Sequence, residues 1–215
     1  MHDTNIQISK TMSNIMISIG RAADRVIRKI DLAQAHSILI SGGNESLRDN
    51  ITNRIYHELA SANVVFVGIY CLEQIEEQVA VIEAFANEVD ERYANESLIR
   101  KEKVLLVKDY AVIANPYAKE PSYASRVKRS IEHIAIKGKS VGMHVILVVG
   151  RPCVDVLTIR LKKCFPTKIC FKALTGVDSF AFINLRKACE IESNQLILCR
   201  EYEYEVLNVL PCARD

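Results

Sequence analysis

Between an apolar run ending at Ser41 and an amphipathic stretch from Leu47 lies the segment Gly42-Gly43-Asn44-Glu45-Ser46-Leu47-Arg48-Asp49. In an open α/β sheet, ligands sit at the carboxyl ends of strands, so a first strand-to-helix turn is the first place to look for chemistry. A phosphate-cradling loop would read GxxxxGK[ST], with backbone amides and a helix N-terminus aimed at the anion. Counted from Gly42, Leu47 falls at the second glycine, Arg48 at the lysine and Asp49 at the metal-binding hydroxyl. Each change works against polyphosphate. Leu47 puts a side chain where bare backbone must approach. Arg48 exchanges a compact ammonium for a planar fork, and Asp49 sets a carboxylate beside the phosphates. The plain alternative is a Gly-Gly turn that joins strand to helix and holds no ligand. No Ser/His/Asp constellation at readable spacing supports Ser41 or Ser46 as a nucleophile.

Such a loop needs strands and helices to position it. Strands are predicted at Ser37–Ile40, Val64–Tyr70, Val104–Val107, His144–Val149, Lys168–Lys172, Gln195–Cys199 and Glu205–Leu210. Helices are predicted at Leu47–Ser61, Glu73–Asn95, Ser122–Val141 and Asp155–Lys163. In the second, Ile75, Val79, Ile82, Phe85, Val89 and Tyr93 recur every three or four residues and form one apolar stripe. Strands alternating with helices indicate β-α-β crossovers and a mainly parallel sheet covered on both faces. The last two strands have no long helix between them and are predicted to form an antiparallel hairpin at the edge.

Length and composition bound the rest. The chain has 215 residues, 49% hydrophobic and 25% charged, which suits one globular domain and excludes a disordered or coiled-coil chain. Apolar runs fall far short of the ~20 residues a membrane span needs, and residues 1–10 lack a signal-peptide pattern. The expected compartment is the cytoplasm, with membrane association only through a longer parent chain or a partner. The formal net charge is +2, yet residues 73–96 carry eight acids against one base, and residues 119–172 carry twelve bases against three acids. That asymmetry admits an anionic partner such as nucleic acid. Within the basic stretch, Arg126, Lys128, Arg129, Lys137 and Lys139 read as a solvated helix face. Seven cysteines without CxxC spacing, at 71, 153, 164, 170, 189, 199 and 212, read as reduced thiols, and no metal site is expected.

The segment from Ser140 to Ser179 carries a more specific pattern: Gly142, His144, Arg151-Pro152, Val154-Asp155-Val156, Thr158, Pro166 and Asp178-Ser179. In order and nearly without gaps, this resembles the motor domain of the FtsK/SpoIIIE double-stranded DNA translocases, and the similarity extends over about residues 17–210. The resemblance implies a RecA-like three-layer α/β sandwich, ATP and Mg²⁺ at residues 42–49, and a ring that pumps duplex DNA. It also places Arg160, Lys162 and Lys163 beside the DNA channel, the plain alternative being a solvated helix end whose bases complement the dipole, and makes His144 a buried structural histidine.

Departures from the family pattern bear on function. Where the family's Walker B strand ends in Asp-Glu, this chain has Lys108 and Asp109. A lysine thus replaces the Mg²⁺-linked acid, and Asp109 is one methylene shorter than the water-polarising glutamate. Gly150 stands where a polar pair would sense the γ-phosphate, Phe180 replaces an arginine, and Lys168 replaces another. Phosphoryl transfer rests on placed charge, and a single lost contributor costs roughly 10²–10³ in rate. The expectation is a decayed nucleotide site that requires no cofactor. Lys108 is expected to pair with Asp49 or Asp109 and plug the site. Two functional classes stay open. One is a DNA-associated component, assembling as a homo-oligomer or with an active homologue. The other is a pseudo-ATPase interaction domain of a secretion or conjugation coupling protein that binds a protein substrate.

Overall fold

The structure is a computed structural model, and it describes residues 15–62, 64–69, 75–95, 101–115, 121–152, 155–201 and 203–211. Two hairpin strands come first, β1 (Met16–Arg21) and β2 (Ile27–Asp31), followed by a single helical turn α1 (Leu32–Ala35). An alternating series follows: β3 (Ser37–Ser41), α2 (Glu45–Ser61), β4 (Val65–Ile69), α3 (Ile75–Ala94) and β5 (Lys103–Val107). Next come the short α4 (Tyr110–Ile113), α5 (Pro121–Lys137), β6 (Met143–Val149), α6 (Ile159–Lys163) and β7 (Thr167–Phe171). The chain closes with α7 (Gly176–Ile183), β8 (Gln195–Arg200) and β9 (Glu203–Val209).

Among the described residues, nine strands lie in one sheet, ordered β2-β1-β9-β8-β7-β3-β6-β5-β4. The five from β7 to β4 are parallel, and β8, β9, β1 and β2 add on antiparallel. The predicted C-terminal hairpin is therefore present. It is not the sheet's edge, because the unpredicted hairpin β1–β2 pairs onto β9 and covers it. β1 buries Ile17 to Gly20, but its two isoleucines, interrupted by Ser18 and Gly20, make too short an apolar run to stand out from the surrounding sequence.

Alternation along the strands splits the core in two. Ile38, Ile40, Val104, Leu106, Ile146 and Val148 face α1 and α2. Leu39, Leu105, Val107, Val145, Leu147 and Val149 face α3 to α7. This makes the three-layer α/β sandwich, with strands β3, β5 and β6 buried on both faces and reading as continuous apolar runs.

The predicted helices hold with shifted ends. Ser122–Val141 is an α-helix to Lys137 and a tighter turn from Gly138 to Val141 that stops at Gly142, in the left-handed region at φ +68. Asp155–Lys163 shortens to Ile159–Lys163, because Thr158 accepts a bond from the Leu161 amide and starts the helix there. Burial pushes the Cys170 and Cys199 thiols up to about 12 and about 11, as befits inert core thiols; Cys71, Cys153 and Cys212 lie outside the described residues.

The two charge runs meet one another. Helices α3 and α5 pack side by side, with Arg126 Nε 2.7 Å from Glu83 and Lys137 Nζ 3.2 Å from Asp90. Lys103 and the buried Arg92 both hold Glu88. Part of the basic excess of residues 119–172 thus faces the acidic helix, while Arg126, Arg129, Lys137 and Lys139 remain exposed, as expected of a solvated helix face.

Candidate functional site

β3 is central, flanked by β6 and β7, so its following turn opens between two strand ends. Gly42 and Gly43 have φ of +84 and +64, which L side chains rarely adopt. Each presses on β7: a Cβ on Gly42 would lie 2.6 Å from the Phe171 carbonyl oxygen, and one on Gly43 2.8 Å from the Phe171 Cβ. The Gly42 amide donates to the Gly150 carbonyl (3.2 Å) and the Gly43 amide to the Lys172 carbonyl (3.0 Å). Asn44 caps α2, its side chain accepting from the Leu47 amide at 2.9 Å.

Arg48 turns back onto the loop. Its Nη1 donates to the carbonyls of Gly42 (3.1 Å) and Gly43 (2.8 Å), and its Nη2 would lie 3.4 Å from a Cβ on Gly150. The guanidinium therefore neutralises loop carbonyls. Glu45 and Asp49, one turn apart at the start of α2, place carboxylates at the end of the helix dipole that favours negative charge. Lys108, just past β5, meets both: its Nζ is 2.8 Å from Asp49 Oδ1 and 3.6 Å from Glu45 Oε1. Its hydrogen bond to Asp49, reinforced by the charges of Asp49, Asp109 and Glu45, raises the ammonium's pKa against the opposing effect of burial.

Of the alternatives open for Lys108, the direct bond is to Asp49. Asp109 contributes through its field and occupies a left-handed position (φ 54) at the start of α4, without capping it. Ser46 is exposed on the outer turn, and Leu47 is half-buried. Leu47 lines a cavity of about 320 Å³ with Gly42, Gly43, Asn44, Gly150 to Pro152, Cys170 and Lys172 to Leu174.

Residues that carry the sequence pattern have structural tasks. Thr175 caps α7 by accepting from the Asp178 amide (3.0 Å) and donates to the Asp178 carboxylate (2.8 Å). Arg151 Nε reaches the same carboxylate at 3.1 Å. The Thr175 hydroxyl first, and then Arg151, hold the Asp178 pKa down against burial. Ser179 bridges the Leu185 carbonyl and the Ala188 amide. His144 is fully buried, its Nε2 2.7 Å from Glu102, as expected of a structural histidine.

The three bases assigned to a DNA channel sit together on α6, with Arg160 exposed and Lys162 half-buried. Arg160 pairs with Glu132 at 2.8 Å, Lys162 donates to the Ala181 carbonyl, and Lys163 is exposed. Sequence reasoning missed Glu45 as a partner of Lys108, and also missed α7 with its exposed apolar face. The signal for α7 was present in Thr175-x-x-Asp178, an N-terminal capping pattern ahead of an apolar run.

No family model matches the chain. The DNA translocase FtsK of Lactococcus lactis subsp. cremoris is 23% identical over 80% of this chain and 28% of its own length. Among solved structures, the pCW3 conjugation coupling protein TcpA, in a monomer form with ATPγS, superposes with a TM-score of 0.82. It covers 91% of this chain and 66% of that one at 16% identity. Thermomonospora curvata EccC ATPases 2 and 3, in complex with a signal sequence peptide, superpose at 0.71, covering 94% and 41% at 12% identity. The chain therefore shares the three-layer α/β fold of these RecA-like ATPase domains. In sequence it is similar to the FtsK/SpoIIIE DNA translocases, and it spans less than a third of the length of the translocases it matches.

Proposed function

We propose that this chain keeps the translocase scaffold, has lost nucleotide turnover, and works as an assembly and protein-coupling component. The observation that carries the reading is the Lys108 ammonium 2.8 Å from Asp49, an internal cation lying among the carboxylates beside which Mg²⁺ would have to sit. The other residues fit Mg-ATP no better. The amides of Gly42 and Gly43 are bonded within the fold, Arg48 is folded onto loop carbonyls, and Leu47 fills the bare-backbone position.

Calorimetry with ATP and Mg²⁺ tests the reading. The chain is expected to give no binding heat at nucleotide concentrations up to about 1 mM, the weak end of measurable affinity. A variant carrying Leu47→Gly, Arg48→Lys, Asp49→Thr and Lys108→Asp is expected to gain binding. Micromolar Mg-ATP affinity with turnover in the unmodified chain would overturn it.

A protein partner is favoured over duplex DNA because an apolar face of α7 is open, while Lys162 is engaged by the Ala181 carbonyl and Arg160 is paired with Glu132 at the surface. The bound peptide of the EccC neighbour lends the same reading support by analogy of fold. The DNA reading draws on the translocase relatives and on the exposed Lys163. Duplex affinity falling steeply between low and moderate salt would favour it.

A further inference from the structure

Helix α7 is apolar on two sides but covered on one. Phe182 and Ile183 point into the core, while Leu174 is 86% exposed, Val177 75% and Phe180 56%. Val177 and Phe180 are three residues apart and share a face of the helix. Leu174 belongs to the wall of the 320 Å³ cavity, which is mostly apolar. Exposed apolar surface continuous with a pocket is a recognised mark of an interaction site. The volume is at the small end for ligand pockets, which run about 300–1,000 Å³, and suits one or two bulky side chains.

Charge specifies what flanks those side chains. Lys172 on the cavity wall is exposed, and Arg186 lies along Gly176 at the start of α7, also exposed. Asp178, the acid in the cavity wall, has its oxygens engaged by Arg151 and Thr175. A positive rim around an apolar hole suits neither duplex DNA, which offers no apolar anchor, nor a basic segment.

We propose that the cavity and the outer face of α7 bind a short segment of another protein in which bulky apolar anchors are flanked by carboxylates. One anchor enters beside Leu174, a second lies over Val177 and Phe180, and the carboxylates meet Lys172 and Arg186. This rests on the protein-coupling reading above and gives that partner its chemistry.

The probes are three fluorescein-labelled helical peptides of about fifteen residues, long enough to present i, i+3 and i+4 anchors. One has leucine anchors and glutamates elsewhere, the second has lysines for the glutamates, and the third has serines for the leucines. By fluorescence anisotropy near physiological salt, the acidic apolar peptide is expected to bind at micromolar concentration and the other two at least about tenfold more weakly. Leu174→Asp and Phe180→Asp are each expected to weaken it about tenfold, as loss of an anchor contact does. Both positions are exposed, so circular dichroism and Tm should match the unmodified chain. Lys172→Glu with Arg186→Glu should transfer the preference to the lysine peptide. The proposal is overturned by equal affinity for the leucine and serine peptides, by indifference to Leu174→Asp and Phe180→Asp, or by self-association in sedimentation that these substitutions abolish. Calorimetric silence toward Mg-ATP alongside peptide failure would sink this site alone, whereas Mg-ATP turnover would sink the functional reading.

Discussion

At the scale of residues, Lys108 sets the character of the loop by placing a fixed positive charge against Asp49 and Glu45. Its pKa is raised in the fold, so its stabilisation is fully present below the unfolded value of about 10.4 and is lost as pH climbs through the folded value. Lys108→Met should cost about 1 kcal/mol at pH 7, with the Tm difference shrinking in alkali above the ordinary lysine range. Asp178 behaves oppositely. Its pKa is lowered by Thr175 and Arg151, so its contribution exists above about pH 4 and disappears as pH falls through the folded value. Asp178→Asn should therefore lower Tm at pH 7 and leave it nearly unchanged near pH 2, in paired thermal melts. The types of these residues were legible in the sequence. That Arg48 folds onto its own loop was not, because a free guanidinium and a folded-back one have the same letter.

At the scale of elements, the turn between β3 and α2 is held by close packing as much as by its glycines. Gly43→Ala must accept both φ +64 and a contact 2.8 Å from Phe171. A loss of at least about 2 kcal/mol is expected in urea unfolding, larger than an ordinary surface change. The α3–α5 pair is a milder case. Arg126 and Glu83 are partly exposed, and such pairs contribute about 0.2–1 kcal/mol. Reversing either charge alone should destabilise slightly, and the double swap Arg126→Glu with Glu83→Arg should recover most of it in a double-mutant cycle. The α3 stripe was readable from its period of three to four residues. The helix that its charges would meet was not, since sequence distance says nothing about which faces pack.

For the molecule as a whole, the β1–β2 hairpin closes the antiparallel side of the sheet. Ile15, Ile17, Ile19 and Ile30 are all but fully buried there. At about 2 kcal/mol each they represent a large share of a domain's usual net stability of about 5–15 kcal/mol. Removing residues 1–31 should expose the β9 edge, giving a chain that binds hydrophobic dyes and aggregates on gel filtration. The same sheet puts the Gly42 turn, Gly150 and Lys172 side by side, although more than a hundred residues separate the first from the second.

The order of amino acids by itself determined the alternation of buried strands and amphipathic helices, the resemblance to the FtsK translocases and the residue types of the Gly42–Asp49 turn. Those depend on side-chain period and identity, which are local. Tertiary structure alone decided that the acidic and basic helices neutralise each other, that Lys108 lands on Asp49, and that α7 keeps one apolar side in water. Each of these depends on which surfaces the crossovers bring together, and that is fixed only once every layer has packed.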